Sequence, residues 1–370
     1  MLEDLPNVPE SIPTPFLLIE EKIVRNNIRR IHDYADRHGF SVRAHVKTHK
    51  SIAIARMQID AGAVGIAVAK ADEAKIMANL GNVDITVAYP VVGETRTEGL
   101  ARLSVDRAVS VAADSEYVMD GLSHAAAQHN TVMGIYVIFD AGLHRCGVSD
   151  PKHLVRLVRY AKTRPGLRYK GVQMYLGHLY GDAAGDPESF DKINRLWGPG
   201  YKALCSAGLP PETVSSGSTP SLFNTHLVDR VNEIRVGTAL LNDYFVLKFG
   251  HCSLEECALR VVATVVSDLV PGQVLIDAGS KALSAKQLLR HEALEMGYVV
   301  EYPEAKIFRL HEEHGWVDVS RCRHQPKTGD RMSIVPVNAA LCMNLYDHFY
   351  LRTGREIVRK ERVDARGCLV

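Results

Sequence analysis

The feature that most constrains the fold is an alternation of short β-branched runs with longer amphipathic stretches between residue 24 and about residue 240. The amphipathic stretches, such as Ala71–Leu80, Tyr117–His129 and Pro151–Lys162, carry apolar residues at spacings of three and four, as helices do. Repeated βα units imply a parallel sheet, and eight of them predict a closed (β/α)8 barrel of the TIM type. The predicted strands are Ser41–Lys47, Val64–Val68, Asp84–Tyr89, Ala108–Ala112, Gly134–Asp140, Tyr169–Leu176, Thr213–Ser216 and Glu233–Val236.

The alternative to a barrel is an open, doubly wound sheet. No GxGxxG motif follows the first predicted strand, so the sequence does not support dinucleotide binding by such a sheet. After about residue 250, short strands follow one another with turn residues and little helix between them. These strands are Ala258–Val266, Gln273–Asp277, Tyr298–Glu301, Lys306–His311, Trp316–Val319 and Arg331–Val335.

This change of pattern predicts two domains. We place the barrel at residues 24–248 and a smaller, mainly antiparallel β domain at residues 1–23 and 249–370. The early run Pro15–Glu20 precedes the barrel, and we expect it to pair into the β domain.

Composition limits the partners. The formal net charge of +1 is not that of a protein that binds nucleic acid or an acidic membrane surface. The chain has no apolar run long enough to span a bilayer, and Met1–Pro15 lacks the basic and apolar regions of a secretory signal. Seven cysteines without a CxxC pair indicate reduced thiols. We therefore predict a cytoplasmic protein that acts on a small molecule.

Function in a (β/α)8 barrel collects at the C-terminal ends of the strands, so the residues there are the candidates for a site. Lys47 ends the first predicted strand, and a lysine at this position can form a Schiff base with a carbonyl. Nearby positive charge would lower its pKa and favour the neutral nucleophile. We expect that charge to come from its sequence neighbours: Arg43, His45, His49 and Lys50.

A run of small hydroxylated residues, Ser215–Ser221, follows the seventh predicted strand. Small residues let backbone N–H groups converge on one anion, and hydroxyls add donors. Phosphate sites of these barrels commonly form after the seventh and eighth strands. The alternative is an ordinary polar turn. A phosphate site together with a strand-end lysine predicts pyridoxal 5'-phosphate as the cofactor.

The run Arg43–Lys50, RAHVKTHK, resembles the R-P-H-x-K-T-H-K signature of the D-threonine aldolase and D-serine dehydratase family. These are alanine-racemase-like pyridoxal phosphate enzymes of fold type III. The resemblance covers nearly the whole chain, and it is more specific for the family than for one reaction. It continues, in the family's order, through DAGLHRCGV (140–148), QMYLGH (173–178), SSGSTPS (215–221), EIRVG (233–237), DAGSKALS (277–284), EEHG (312–315) and Asn344-Leu345.

The resemblance implies roles for individual residues. The family's cofactor-binding lysine falls on Lys47, an arginine near the cofactor's phenolic oxygen falls on Arg145, and Arg235 resembles the arginine that faces the pyridine nitrogen. A positive charge at that nitrogen disfavours its protonation and makes the ring a weaker electron sink. The phosphate loop falls on Ser216, Gly217, Ser218 and Thr219, and the cofactor wall on Tyr175 and His178.

One segment departs from the family. Its aldolases and dehydratases use a divalent metal whose ligands come from a C-terminal P-N-H-x-C/D-P-x-x-N-L segment. Residues 336–345 read PVNAALCMNL, which places Asn338 at the histidine position and Ala340 at the Cys/Asp position. Alanine has no ligand atom, and an amide is a poor ligand for a transition metal. We expect the metal site to be lost and a histidine, His178 or His45, to act as the base instead.

These features predict a pyridoxal-phosphate-dependent lyase that cleaves a β-hydroxy D-amino acid into a smaller amino acid and an aldehyde. The alternatives are a dehydratase or an amino-acid racemase on the same scaffold. A non-enzymatic pyridoxal phosphate carrier is a further alternative. Such carriers resemble the barrel alone, so the roughly 120 residues after the barrel argue against one. The resemblance also implies a head-to-tail homodimer.

Overall fold

The computed structural model of the protein describes residues 11–290, 293–354 and 356–370. The chain divides into two compact units. We call them the barrel unit, formed by Arg29–Lys47, Ile54–Gly237 and Gly367–Val370, and the β unit, formed by the described residues of 11–28, Thr48–Ala53 and Thr238–Arg366. The domain limits expected from the sequence, 24–248 and the remainder, stay predictions.

The strands, numbered in chain order, are β1 (Phe16–Glu20), β2 (Ser41–His45), β3 (Gly65–Val68), β4 (Ile85–Val87), β5 (Val109–Ala113), β6 (Met133–Ile138), β7 (Leu167–Gln173), β8 (Thr213–Ser216), β9 (Glu233–Val236), β10 (Leu259–Ser267), β11 (Gln273–Ile276), β12 (Leu288–Arg290), β13 (Ala293–Glu295), β14 (Gly297–Val299), β15 (Lys306–Leu310), β16 (Gly315–Asp318), β17 (Arg331–Pro336), β18 (His348–Thr353) and β19 (Glu356–Arg362). The helices are α1 (Glu21–His38), α2 (Ile52–Asp60), α3 (Ala71–Met77), α4 (Glu94–Leu103), α5 (Glu116–Gln128), α6 (Pro151–Thr163), α7 (Pro187–Ser206), α8 (Tyr244–Lys248), α9 (Ser280–Leu283) and α10 (Ala339–Met343). No helix of these ranges is long and apolar enough to cross a lipid bilayer.

The barrel unit contains the predicted closed barrel. Strands β2 to β9 are parallel and pair in sequence order, and β2 pairs with both β3 and β9, which closes the ring. Arg43 of β2 lies opposite Gly65 of β3 on one side and Arg235 of β9 on the other. The predicted (β/α)8 fold is therefore confirmed.

Helix α6 shows why the connecting segments are helical. Asp150 caps its N-terminus by accepting a hydrogen bond from the backbone N–H of His153, and Pro151 occupies the first turn, where no intrahelical N–H bond is lost. Its buried residues recur at helical spacing and form one apolar stripe: Leu154, Leu157, Val158 and Ala161.

The β unit is built on a mainly antiparallel sheet with the strand order β15-β16-β11-β10-β1-β18-β19, to which β17 adds by pairing with β10 and β14. Strand β1 pairs antiparallel with β10 and parallel with β18. The expectation that Pro15–Glu20 joins the β domain is confirmed. Its residues Leu17, Leu18 and Ile19 are fully buried. A continuous apolar run suits this strand, because it lies between two others and is covered on both faces.

The predicted barrel strands run too far at several C-terminal ends. Strand β2 ends at His45, and Val46–Thr48 form a 3-10 turn; β6 and β7 end at Ile138 and Gln173. Strand propensity continues through these residues, but a strand ends where its neighbours no longer offer backbone partners. The consequence is functional, because the residues that were assigned to strand ends lie in the turns at the barrel mouth.

Candidate active site

Lys47 lies in the 3-10 turn that directly follows β2, at the C-terminal end of a barrel strand. Its Nζ is 5.8 Å from the centroid of the Tyr175 ring. Burial lowers the pKa of Lys47, and the positive charges of Arg145 and Arg235 lower it further, against the opposing effect of Glu73. A lowered pKa increases the fraction of neutral, nucleophilic amine near neutral pH.

The direction of this shift agrees with the sequence prediction, but its causes differ. The charges that lower the pKa of Lys47 are those of Arg145 and Arg235. The guanidinium of Arg43 is held by two carboxylates: Nε donates to Glu233 Oε2 at 2.9 Å and NH1 donates to Asp84 Oδ1 at 2.8 Å. Lys50, in the β unit, donates to Asn344 Oδ1 at 2.9 Å. Neighbours in sequence point in different directions along a strand and its turn, so adjacency does not give proximity.

Arg145 and Tyr175 meet above the strands β6 and β7. The guanidinium carbon of Arg145 is 4.7 Å from the centroid of the Tyr175 ring, a cation–π distance. Both residues line a cavity together with Gln173, whose buried Oε1 has no hydrogen-bond partner among the described residues. The cavity therefore offers an aromatic wall, a positive charge and an unused acceptor.

The predicted phosphate loop follows β8. The hydroxyl oxygens of Ser216 and Ser221 are buried and lack a partner in the described part of the chain. Gly217 has φ +144°, and a Cβ there would lie 2.6 Å from the carbonyl oxygen of Arg235, so only glycine fits. Buried Ser218 and partly buried Thr219 continue the loop. Unused donors of this kind suit the oxygens of an anionic ligand.

Arg235 on β9 is buried, with only 5% of its surface exposed. Its NH1 donates to Ser215 Oγ at 2.6 Å and its NH2 donates to the carbonyl oxygen of Met174 at 3.1 Å. Burial lowers its pKa to about 10, so it remains charged at neutral pH. Its Nε has no partner among the residues described.

His178 lies five residues beyond the end of β7. Burial lowers its pKa and the charge of His144 adds to this, whereas Asp140 opposes it, so the ring is neutral at neutral pH. Its buried Nδ1 has no partner in the described ranges. By contrast, the exposed His144 is paired through Nδ1 with Asp140 Oδ2 at 2.9 Å. His45, the other candidate base, is the last residue of β2, opposite Ala67 of β3.

The structure thus brings Lys47, Arg145, Tyr175 and Arg235 to one end of the barrel. These groups fit pyridoxal phosphate: an amine of lowered pKa for its aldehyde, unpartnered serine hydroxyls and a glycine turn for its phosphate, and a buried cation for its ring. The sequence motifs include three polar residues to which they assign no individual role and which the fold brings into the barrel interior: Gln173, Ser215 and Glu233. Each is a polar residue within or at the end of a predicted apolar strand, which is a signal that could have drawn attention to them.

The segment expected to bind metal lies in the β unit. Asn338 caps helix α10, because its Oδ1 accepts a hydrogen bond from the backbone N–H of Leu341 at 2.9 Å. Cys342 is fully buried, its thiol donates to the carbonyl oxygen of Ala282, and burial raises its pKa. Ala340 offers no ligand atom. The side chains at these positions therefore do not fit the family's metal site.

Asp243 holds the start of the same helix. Its carboxylate accepts from the backbone N–H groups of Val246 at 3.0 Å and Ala339 at 3.1 Å. Burial raises its pKa to about 6 although these backbone donors oppose the shift. Within the described residues, no cluster of three or more His, Cys, Asp or Glu side chains is placed to hold a metal ion.

Comparison with known proteins identifies the family. The alanine racemase N-terminal domain model matches residues 19–244, and the putative serine dehydratase domain model matches residues 258–352. The second match lies in the region that pyridoxal phosphate carriers lack, so it argues against that alternative.

Individual relatives extend over most or all of the chain. The chain is 30% identical to a 3-hydroxy-D-aspartate aldolase of Paracoccus denitrificans, with 98% of this chain and 95% of the relative covered. It is 30% identical to a D-serine dehydratase of Dictyostelium discoideum, with 74% of each covered. The crystal structure of D-threonine aldolase from Filomicrobium marinum superposes with a TM-score of 0.89 at 27% identity and covers 97% of this chain and 96% of that one. The chain belongs to the D-threonine aldolase and D-serine dehydratase family of alanine-racemase-like, pyridoxal-phosphate-dependent enzymes, and it is a lyase.

Proposed function

We propose that this lyase cleaves the Cα–Cβ bond of a β-hydroxy D-amino acid and releases a smaller amino acid and an aldehyde. The observation that carries the proposal is His178 at the barrel mouth, whose pKa burial lowers and whose buried Nδ1 has no partner among the described residues. In the same chain, Asn338 and Ala340 stand at the family's metal-ligand positions. Retro-aldol cleavage needs only a proton taken from the β-hydroxyl, so a histidine base suffices. The similarity to a 3-hydroxy-D-aspartate aldolase over 98% of the chain supports this choice.

We assign the cofactor contacts as follows. Lys47 holds pyridoxal phosphate through its amine, because burial and two arginines lower the pKa of that amine and so favour its nucleophilic form. Arg145 and Tyr175 would flank it, and Arg235 would face the ring nitrogen. Ser216, Gly217, Ser218 and Thr219 would hold the phosphate, and the hydroxyl of Ser221, which has no partner among the described residues, extends this set.

The chain's own residues then divide the work. When bound, pyridoxal phosphate withdraws electrons from the bonds at the substrate's Cα. His178 accepts the proton of the β-hydroxyl as the Cα–Cβ bond breaks and the aldehyde forms. The electron pair of that bond goes to Cα, which takes up a proton to complete the smaller amino acid. His45 is the alternative acceptor of the hydroxyl proton. Arg235 disfavours a proton on the ring nitrogen, because two positive charges in a buried site repel each other.

The reaction does not require a divalent metal in this proposal. In the segment where the family binds metal, the side-chain oxygen of Asn338 caps a helix by accepting a hydrogen bond from Leu341 N–H. Cys342 is buried, and burial raises the pKa of its thiol. A thiol binds metal as the thiolate, so a raised pKa disfavours binding. The side-chain base at the barrel mouth takes over the activation of the hydroxyl.

The experiment that tests the reaction is product identification with purified enzyme. Incubation with D-threonine and with 3-hydroxy-D-aspartate should give glycine plus the matching aldehyde. Formation of a 2-oxo acid and ammonia would instead show a dehydratase. D-alanine is tested as a further substrate, and conversion of a substrate into its opposite enantiomer would show a racemase. Dehydratase activity is the second candidate, because the chain is 30% identical to a D-serine dehydratase.

The same assay tests independence from metal. After prolonged treatment with a chelator, activity should stay within about twofold of the untreated enzyme, since general acid–base catalysis by a side chain does not depend on the ion. A loss of activity that added divalent metal restores would refute the proposal of a metal-free site, and it would leave the cofactor assignment untouched.

Two further predictions concern the protein in the cell. We propose a homodimer, which light scattering of the purified enzyme would test. We also propose a cytoplasmic location, which cell fractionation would test. A monomeric, active enzyme would remove the dimer from the proposal.

A further inference from the structure

A buried series of side-chain hydrogen bonds connects four residues of the barrel strands. Arg43 of β2 donates from Nε to Glu233 Oε2, Ser215 of β8 is hydrogen-bonded to Glu233 Oε1, and Arg235 of β9 donates from NH1 to Ser215 Oγ. We call these four residues the polar relay. Each has at most 5% of its surface exposed. A (β/α)8 barrel is normally filled by bulky apolar side chains, so a buried set of this kind requires an explanation.

The direction of every bond in the polar relay is fixed by chemistry. Arginine is only a donor, so Ser215 Oγ must accept from Arg235, and its single proton must go to Glu233. The Glu233 carboxylate therefore accepts from both sides, from Ser215 and from Arg43. At the other end of the series, Asp84 Oδ1 accepts a hydrogen bond from Arg43 NH1 at 2.8 Å and holds the Arg43 guanidinium in place.

Arg235 has no direct carboxylate partner in the part of the chain that the structure describes. Its partners are a hydroxyl and a carbonyl oxygen, and burial lowers its pKa to about 10. Arg43, by contrast, has a raised pKa: burial would lower it, but Glu233 and Asp84 outweigh that effect. The nearest compensating charge for Arg235 is thus Glu233, which reaches it through one serine hydroxyl.

The neighbouring strand leaves room for this arrangement. A Cβ on Gly65 of β3 would lie within 2.5 Å of Arg43 NH1, so any larger residue would displace the guanidinium. Residues 233 and 235 are two positions apart on β9 and face the same side of the strand, and Ser215 lies opposite Glu233 in the register of β8 and β9. Backbone pairing therefore sets the spacing of the relay.

We propose that Ser215 and Glu233 are positioning residues for catalysis: through the Ser215 hydroxyl, Glu233 fixes the rotamer and the charge of Arg235 against the cofactor ring. This rests on the proposed role of Arg235. The relay holds NH1 of Arg235 on Ser215 and the carbonyl oxygen of Met174 holds NH2, so that Nε is left without a partner among the described residues. Through Ser215, the negative charge of Glu233 acts on the arginine that faces the cofactor ring, although Glu233 itself does not contact the ring.

The test compares Ser215→Ala, which cuts the relay and keeps the Arg43–Glu233 pair, with Ser215→Thr, which keeps the hydroxyl. Thr86→Val is the matched control, because Thr86 is a buried hydroxyl of β4 without a partner in the described ranges and outside the relay. Three quantities are measured on each holoenzyme: the pH midpoint of the bound-cofactor absorbance, the dissociation constant for pyridoxal phosphate added to apoenzyme, and kcat and KM separately.

Ser215→Ala should shift the absorbance midpoint and lower kcat by about 10- to 100-fold with little change in KM, the size expected when a hydrogen bond to a charged group is lost. Ser215→Thr should restore both, and Thr86→Val should match the wild type. Glu233→Gln should be at least as harmful, because an amide must turn a donor toward either Arg43 or Ser215. If Glu233→Gln does not fold, Ser215→Ala decides alone.

The proposal is overturned if Ser215→Ala leaves the absorbance midpoint and kcat unchanged, or if it only lowers the melting temperature. It is also overturned if Thr86→Val gives the same shifts. Failure of the proposed function has a different signature: a wild-type enzyme without lysine-bound cofactor absorbance would show no spectrum to shift in any variant.

Discussion

The barrel mouth and the segment 336–345 both contain polar side chains, but they differ in whether these side chains have hydrogen-bond partners within the protein. At the mouth, the hydroxyls of Ser216 and Ser221 and the Nδ1 atom of His178 are buried without partners among the described residues. In the segment, Asn338 is used as a helix cap and Cys342 donates to a carbonyl oxygen. Buried polar groups are normally satisfied by the protein itself. The unpartnered groups at the barrel mouth are therefore available to a ligand, whereas the partnered groups of the segment 336–345 serve the structure.

The largest expected effect comes from removing the lysine at the barrel mouth. Lys47→Ala should abolish both activity and the visible absorbance of the bound cofactor, because it removes the buried amine whose pKa Arg145 and Arg235 lower. Borohydride reduction followed by mass spectrometry should attach the cofactor to the wild type and not to the variant. Lys70→Ala, at the end of β3, is the control and should keep the attachment. Retention of attached cofactor by Lys47→Ala would refute the assignment.

The second effect concerns the neutral histidine. His178→Asn should lower kcat by about 100-fold or more, the usual contribution of a general base. Because burial depresses the pKa of His178, the wild type should hold its activity through neutral pH and lose it only as the pH falls below the ordinary histidine value of 6.5. The acidic limb of the pH profile should disappear in the variant.

His144→Asn provides the comparison for that measurement. His144 is exposed and paired with Asp140, and its φ of +55° suits asparagine. Its kcat should stay close to the wild-type value. If both variants lose activity equally, or if the acidic limb persists in His178→Asn, the base is another group, and His45 is then the next residue to test.

The smallest effect distinguishes a cap from a ligand. Asn338→Ala should lower the free energy of unfolding by about 1 kcal/mol, the usual cost of losing an N-cap, and leave kcat of the folded enzyme unchanged. Asn338→Ser should restore most of the stability, since serine is also a good cap. Urea denaturation and steady-state kinetics measure the two quantities. A large loss of activity without loss of stability would place Asn338 in the active site.

The sequence predicted the type and order of the barrel elements better than their ends. Eight βα units are readable because periods of two and 3.6 residues are local properties. The end of β2 at His45 is not local: it depends on where β3 and β9 stop offering partners. The same limit explains why Lys47 lies in a turn and why the charges acting on it come from Arg145 and Arg235, which are far along the chain.

By itself, the sequence determined the fold class, the candidates for the cofactor lysine and the phosphate loop, and the departure at Asn338 and Ala340, because motif identity and spacing are properties of the sequence. Only the tertiary structure decided which polar groups remain available. Whether a serine such as Ser215 or Ser216 binds a ligand or a neighbour depends on strand register and burial, and these arise only when residues distant in sequence are packed together.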